Sequence, residues 1–301
     1  MIKYRYILAL LAFGLMSNST VLAQSRSYSN ETFTLQSSTV GEEFLIEVSL
    51  PSDYRKGDQT YPVLYVTDGN AVFDFTADVM RSLAADTLDP GMPRVIVVGI
   101  SYQDASTWFA KRQRDLTPEG AVPPDADEFI KQRYPDVQLD RYRGGADAFL
   151  AFIRDTLDPK IRSSYRTDGK PAGLVGVSWG GMFGLHALTK REPLFDRYWL
   201  GSIAPIEMVD DHIIKDFQAS LVTGNYEDVR VFLSVGEKEI GHPLYGHGVA
   251  GVNEVLMAIN GVQPEGLAAR LLVVPDATHG GSKFMAAPAA MRFLYHPEYR
   301  D

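Results

Sequence analysis

Apolar and polar residues alternate from Phe33 to Val40 and again from Phe44 to Leu50, the period of a half-buried strand, and Pro51 stops the second run. The pair predicts two antiparallel strands at the edge of a sheet. Beyond Pro51 the apolar runs become short, β-branched and continuous: Pro62–Val66, Arg94–Ile100, Ala172–Val177, Tyr198–Ile203, Val229–Val235 and Arg270–Val274. A strand that is apolar on both sides must be covered on both, which predicts a parallel sheet wrapped by helices. The spacers carry the helical period, as in Phe73–Leu83, Asp147–Leu157, Met182–Thr189 and Val252–Ile259, with Phe149, Leu150, Ile153 and Leu157 on one stripe. No repeat or low-complexity linker interrupts this rhythm. The pattern predicts one α/β domain, its central sheet mostly parallel with an antiparallel N-terminal edge and helices on both faces.

Two segments depart from the rhythm. Lys3 and Arg5 precede an apolar core, Ile7–Met16, and Val21-Leu22-Ala23 ends it on a small residue. That is the layout of a secretory signal cut after Ala23, too short to span a bilayer stably, and it leaves residues 24–301 as the mature domain. A periplasmic or secreted location follows. The second departure lies between Ile100 and the helix opening near Asp147, an insertion at about 103–146. It holds Pro118, Pro123, Pro124 and Pro135 together with Trp108, Phe109, Phe129, Tyr134 and Tyr142. Its aromatics predict an ordered loop over a binding site.

Composition narrows the chemistry. The 301 residues include no cysteine, so there is no disulfide framework, thiolate metal site, cysteine nucleophile or lipidation site after the signal. Lys+Arg number 29 against 38 Asp+Glu, a net charge of −9, and removing Lys3 and Arg5 with the signal makes it −11. An acidic chain without a basic block argues against nucleic acid or an anionic membrane as partner.

Gly176-Val177-Ser178-Trp179-Gly180-Gly181 matches G-x-S-x-G directly after a continuous strand and before a helical pattern. The chemistry needs that context. A sharp strand–turn–helix corner lifts the serine Oγ out of the sheet, and its glycines let neighbouring backbone pass without a Cβ clash. The serine requires a base. His279, in Pro275-Asp-Ala-Thr-His-Gly-Gly281 just past the last strand, occupies the place for it. His186 falls inside the helix after the nucleophile, and His212 and His296 read as surface positions. His242 and His247 share one loop and would either line the pocket or have no role; without a carboxylate pattern there, no metal is expected. The chain order serine, acid, histidine places the acid in Val235-Gly-Glu-Lys-Glu239. Glu239 is favoured over Glu237 as the deeper of the two. Asp210 and Asp211 are outsiders, and a serine–histidine pair without an acid stays open. The Trp179 amide would be the first oxyanion donor. Asn70, in Thr67-Asp68-Gly69-Asn70 after the first central strand, would supply the second unless that segment is only an Asp-Gly turn.

Pro62-Val-Leu-Tyr-Val-Thr-Asp-Gly-Asn-Ala-Val72, the elbow at 176–181 and Thr278-His279-Gly280 together resemble the putative-esterase family of α/β-hydrolases, which includes esterase D and the siderophore esterases. Arg112-Gln-Arg-Asp115-Leu-Thr-Pro118 and Gly144–Phe149 are similar to segments of the siderophore-esterase branch, and the likeness runs through roughly 30–295. It implies an α/β-hydrolase fold and a serine esterase with Ser178 and His279 as its catalytic pair. It also implies Arg112 near the substrate. Tyr102 and Trp108 would join Arg112 in shaping the pocket. An anionic ferric siderophore would call for a local basic patch from Lys111, Arg112 and Arg114, given the acidic whole. No metal or organic cofactor is needed, and the partner is a small-molecule ester. Acyl transfer on the same scaffold and a non-catalytic binding module are the alternatives. The serine, the histidine and the elbow glycines that a degenerate binding module would lose are all present.

Overall fold

The two alternating segments pair into the edge of an eight-stranded sheet in the computed structural model, which describes residues 30–104, 106–120, 144–203, 212–243 and 245–299. β1 (Asn30–Ser37) and β2 (Glu42–Ser49) run antiparallel, Phe33 opposite Ile46, and β2 pairs antiparallel with β4 (Ile96–Tyr102), Phe44 opposite Tyr102. The remaining strands, β3 (Val63–Val66), β5 (Ala172–Val177), β6 (Phe195–Gly201), β7 (Val229–Gly236) and β8 (Leu267–Val274), are parallel to β4 and to one another, in the order β1-β2-β4-β3-β5-β6-β7-β8.

Helices follow the parallel strands: α1 (Gly69–Ala84) after β3 and α2 (Trp108–Leu116) after β4. Next come α3 (Ala146–Phe152) and α4 (Asp158–Ser164), joined by the π-helical turn Ile153–Leu157. α5 (Trp179–Thr189), α6 (His212–Thr223), α7 (Tyr245–Val262) and α8 (His279–Tyr295) complete the set. Alternation along each strand divides the core. Leu64, Val66, Val97, Val175, Trp199 and Phe232 pack under α1 and α8, where Ala286, Ala287 and Ala290 bring α8 close to the sheet. Val63, Tyr65, Ile96, Val98, Leu174 and Leu200 face the other layer, with residues of α3 to α7. Both faces are covered, as the continuous apolar runs require, and the fold is that of an α/β-hydrolase. Every strand from β3 to β8 delivers its C-terminal end to one edge of the sheet. The turns leaving β3, β5, β7 and β8 therefore converge there.

The insertion departs from expectation. Instead of a loop throughout, it forms α2, which buries Ala110, Arg112, Gln113, Asp115 and Leu116. Three of these five are polar. Such a helix leaves no apolar stripe for periodicity to find. Positions 121–143, with Phe129, Tyr134 and Tyr142, lie outside the described residues, as do the proposed signal at 1–23 and Asp210 and Asp211. Among the described residues no helix is long and apolar enough to cross a membrane.

Candidate active site

Ser178 joins β5 to α5 with φ 60° and ψ −119°, a backbone conformation that costs an L-residue strain and persists only where the surroundings impose it. Its N–H donates to the Gly201 carbonyl at 2.8 Å, and its own carbonyl accepts from Met182 N–H at 3.1 Å. The glycines are required by close passage. A Cβ on Gly176 would overlap the Gly180 carbonyl oxygen, and one on Gly180 would lie 2.5 Å from Thr67 Oγ1. Trp179 is the first residue of α5, so its N–H has no acceptor within the helix and faces outward with the positive end of the helix dipole.

His279 opens α8, with Thr278 as N-cap accepting from Gly281 N–H at 3.2 Å. Its Nδ1 lies 2.7 Å from Glu239 Oε2, and because the ionised carboxylate only accepts, Nδ1 carries the proton. Glu239 sits in the 3₁₀ turn after β7 and is 3% exposed. Its Oε1 accepts from Ser202 Oγ and from the Gly236 N–H, each at 2.7 Å. Burial pushes this carboxyl up, but the bonds from His279, Ser202 and Gly236 outweigh burial and hold it below the usual carboxylate value. Glu237 is exposed and accepts from the Asp276 N–H instead. Ser178 and Glu239 thus hang from adjacent residues at the end of β6, one bonded to Gly201 and the other to Ser202. Sequence reasoning missed Ser202, and it missed Tyr245, whose ring stacks on His279 with centroids 4.2 Å apart and planes 15° apart. Neither belongs to a motif, so no local signal marked them.

The turn after β3 prepares the second donor position. Asp68 takes a left-handed conformation (φ 54°) before α1, and Asn70 is the second residue of that helix, its N–H again without an intrahelical acceptor. The Asn70 side chain is anchored: Nδ2 donates to the Tyr102 carbonyl at 2.8 Å and Oδ1 accepts from Tyr102 N–H at 2.7 Å. Tyr102 is therefore a support, not the pocket wall expected. It is 3% exposed, and its hydroxyl donates to Asp115 at 3.1 Å. Arg112, expected near the substrate, pairs with the turn after β3. Its Nε and Nη2 donate to the two oxygens of Asp68, both at 2.7 Å, and the guanidinium lies 4.7 Å from the Trp179 ring centroid. Trp108, expected in the pocket, is half-buried against the core and lies 5.6 Å from the same guanidinium. Of the cations expected in a basic patch, Lys111 pairs with Glu42 and Arg114 with Asp115 and Glu42.

Lys283, one turn beyond His279 on α8, is half-buried, with its ammonium over the rings of Phe75 and Phe284 and 3.4 Å from the Ala71 carbonyl. Burial lowers its pKa, opposed by the Asp68 charge. Of the other histidines, His186 pairs with Asp147 at 2.9 Å. His296, expected at the surface, is half-buried against Asp89 at 3.0 Å. Among the described residues no group of three or more metal-ligating side chains gathers.

Comparison with known proteins identifies a family for the chain. The family described as "Putative esterase" matches residues 37–244. The chain is 29% identical over 240 residues to the ferri-bacillibactin esterase BesA of Bacillus subtilis, covering 79% of this chain and 80% of that protein. It is 33% identical over 165 residues to a siderophore triacetylfusarinine C esterase of Aspergillus fumigatus, covering 52% of this chain and 50% of that one. Among solved structures, an IroE-like serine hydrolase of Shewanella oneidensis superposes with a TM-score of 0.74 at 26% identity, covering 89% and 80% of the two chains.

Proposed function

The chain belongs to the putative-esterase family and is a carboxylic-ester hydrolase, and on that premise we propose that it works through an acyl-enzyme on Ser178. Ser178 Oγ attacks the acyl carbon while His279 takes its proton and then delivers it to the departing alcohol. The Trp179 and Asn70 amides receive the developing oxyanion. Glu239 keeps the proton on Nδ1, which leaves Nε2 as the basic nitrogen, and stabilises the imidazolium. Water, deprotonated by His279, then attacks the acyl-serine carbonyl and releases the acid. The observation that carries this reading is the 2.7 Å His279–Glu239 bond, at the same edge of the sheet as a serine held in a strained elbow.

Ser178→Ala is expected to lower kcat/KM by about 10⁴–10⁶ with folding intact, and a fluorophosphonate probe is expected to label Ser178 and nothing else. Undiminished hydrolysis by the variant would overturn the assignment.

For the substrate we propose a siderophore-type ester. Relatives named for such substrates support it, as do Lys283 and the rings of Phe75 and Phe284 beside the site, which would face an anionic, aromatic acyl group. A ferric trilactone siderophore assayed beside a panel of p-nitrophenyl acyl esters tests this. Turnover of short acyl esters with the siderophore untouched would make the protein a general esterase. The N-terminal segment supports action in a periplasm or outside the cell.

A further inference from the structure

Catalysis by this site, on the reading just proposed, depends on the separation of two amides that belong to different helices. Asn70 rides on α1 from β3, and Trp179 rides on α5 from β5. The sheet ties the strands together up to Val66 and Val175, and Thr67 adds bonds from its N–H and Oγ1 to the Val175 carbonyl. Past that point β3 and β5 no longer pair, although β5 stays on β6 as far as Val177, and the two chains enter their helices through left-handed residues, Asp68 and Ser178, so the ladder between them no longer sets their spacing.

One side-chain assembly spans the gap. Asp68, at the start of α1, holds the Arg112 guanidinium in a two-point fork, and the Trp179 indole lies against that guanidinium. Trp108 lies 5.6 Å from it, and Phe109 meets the Trp179 ring at 4.9 Å. Both ends of the ion pair are buried, 3% exposed for Asp68 and 9% for Arg112. A buried pair of this kind gives geometry more readily than net stability. It also settles a charge problem, because a bare carboxylate two residues from the Asn70 amide would repel the negative charge that forms there.

We propose that Arg112 and Asp68 are positioning residues that set the oxyanion hole, with Arg112 acting through the Trp179 ring and neutralising Asp68 rather than touching the substrate. The insertion then contributes to chemistry by docking α2 against both helix starts.

The test uses the full chain with Arg112→Met, Arg112→Lys and the double variant Asp68→Asn/Arg112→Met. Measurements are kcat and KM on p-nitrophenyl acetate and on a bulky anionic ester, and the affinity of a trifluoromethyl ketone that mimics the oxyanion. Arg112→Met is expected to lower kcat about 10²-fold on both esters, with KM within about threefold and ketone affinity reduced in parallel, because the loss falls on the oxyanion. The double variant is expected to recover part of that loss, since no unpaired carboxylate remains. Arg112→Lys, which keeps the charge without the fork or the flat stacking face, is expected to fall between, and it serves if Arg112→Met does not fold. A rise in KM confined to the anionic ester, or an unchanged kcat in Arg112→Lys, would overturn the proposal and return Arg112 to substrate contact. Fluorophosphonate labelling of the wild type separates the two readings. An unlabelled Ser178 removes the acyl-enzyme itself, whereas a labelled wild type with fully active variants removes only the positioning role.

Discussion

Glu239 accepts three hydrogen bonds at a nearly sealed position, whereas Glu237, two residues earlier in the same turn, is exposed and serves only the Asp276 amide. Glu239→Gln keeps the shape but permits the wrong imidazole tautomer, so kcat/KM is expected to fall about 10²–10⁴-fold in steady-state assays. The same variant has a pH signature in stability. Because the folded-state pKa of Glu239 is depressed, its stabilisation is present above the unfolded carboxylate value, about 4.3, and is lost as pH falls through the folded value. Denaturant melts of wild type and variant are therefore expected to differ most near neutral pH and to converge in acid. A gap independent of pH would mean that the carboxylate charge is not what stabilises the turn. At this scale the elbow at Ser178 and the loop carrying His279 were legible, since glycine spacing and the end of a strand are local features. Which glutamate meets His279 needed the rotation of a single 3₁₀ turn.

All eight strands were legible as runs, because side-chain burial on one or both faces writes a period into the chain itself. α2 was not, since it is buried through ion pairs and hydrogen bonds that carry no period. β6 likewise begins at Phe195, three residues before the apolar run from Tyr198, because Arg197 is accommodated by bonding Asp228. Its neighbour Asp196 is less well served. Burial raises its carboxyl to about 6, opposed by Arg197 at 3.4 Å. A raised folded-state pKa stabilises below the unfolded value, and that contribution is lost as pH rises through about 6. Asp196→Asn is therefore expected to stabilise the protein at pH 7 by up to about 2 kcal/mol and to do little at pH 4. Equal effects at both pH values in thermal melts would show that the aspartate stays ionised throughout.

For the whole molecule, the net charge of −9 becomes −11 if the first 23 residues are removed on export. Intact mass of protein recovered from its native host is expected to place the first residue at Gln24, and a retained Met1 in the cytosolic fraction would refute that. The described residues build one sheet with two apolar layers, and its C-terminal edge gathers the ends of β3, β5, β7 and β8 into a single site. Class of fold, the elbow at Ser178 and the loop carrying His279 were determined by the sequence alone, because strand period, glycine spacing and chain order act over a few neighbouring residues. Only the tertiary structure decided that Arg112 serves Asp68, 44 residues away, that Ser202 holds Glu239 across 37, and that Tyr245 stacks on His279. Polar and ring contacts between distant residues have no period. Which of many possible partners meet is set by the order in which strands enter the sheet.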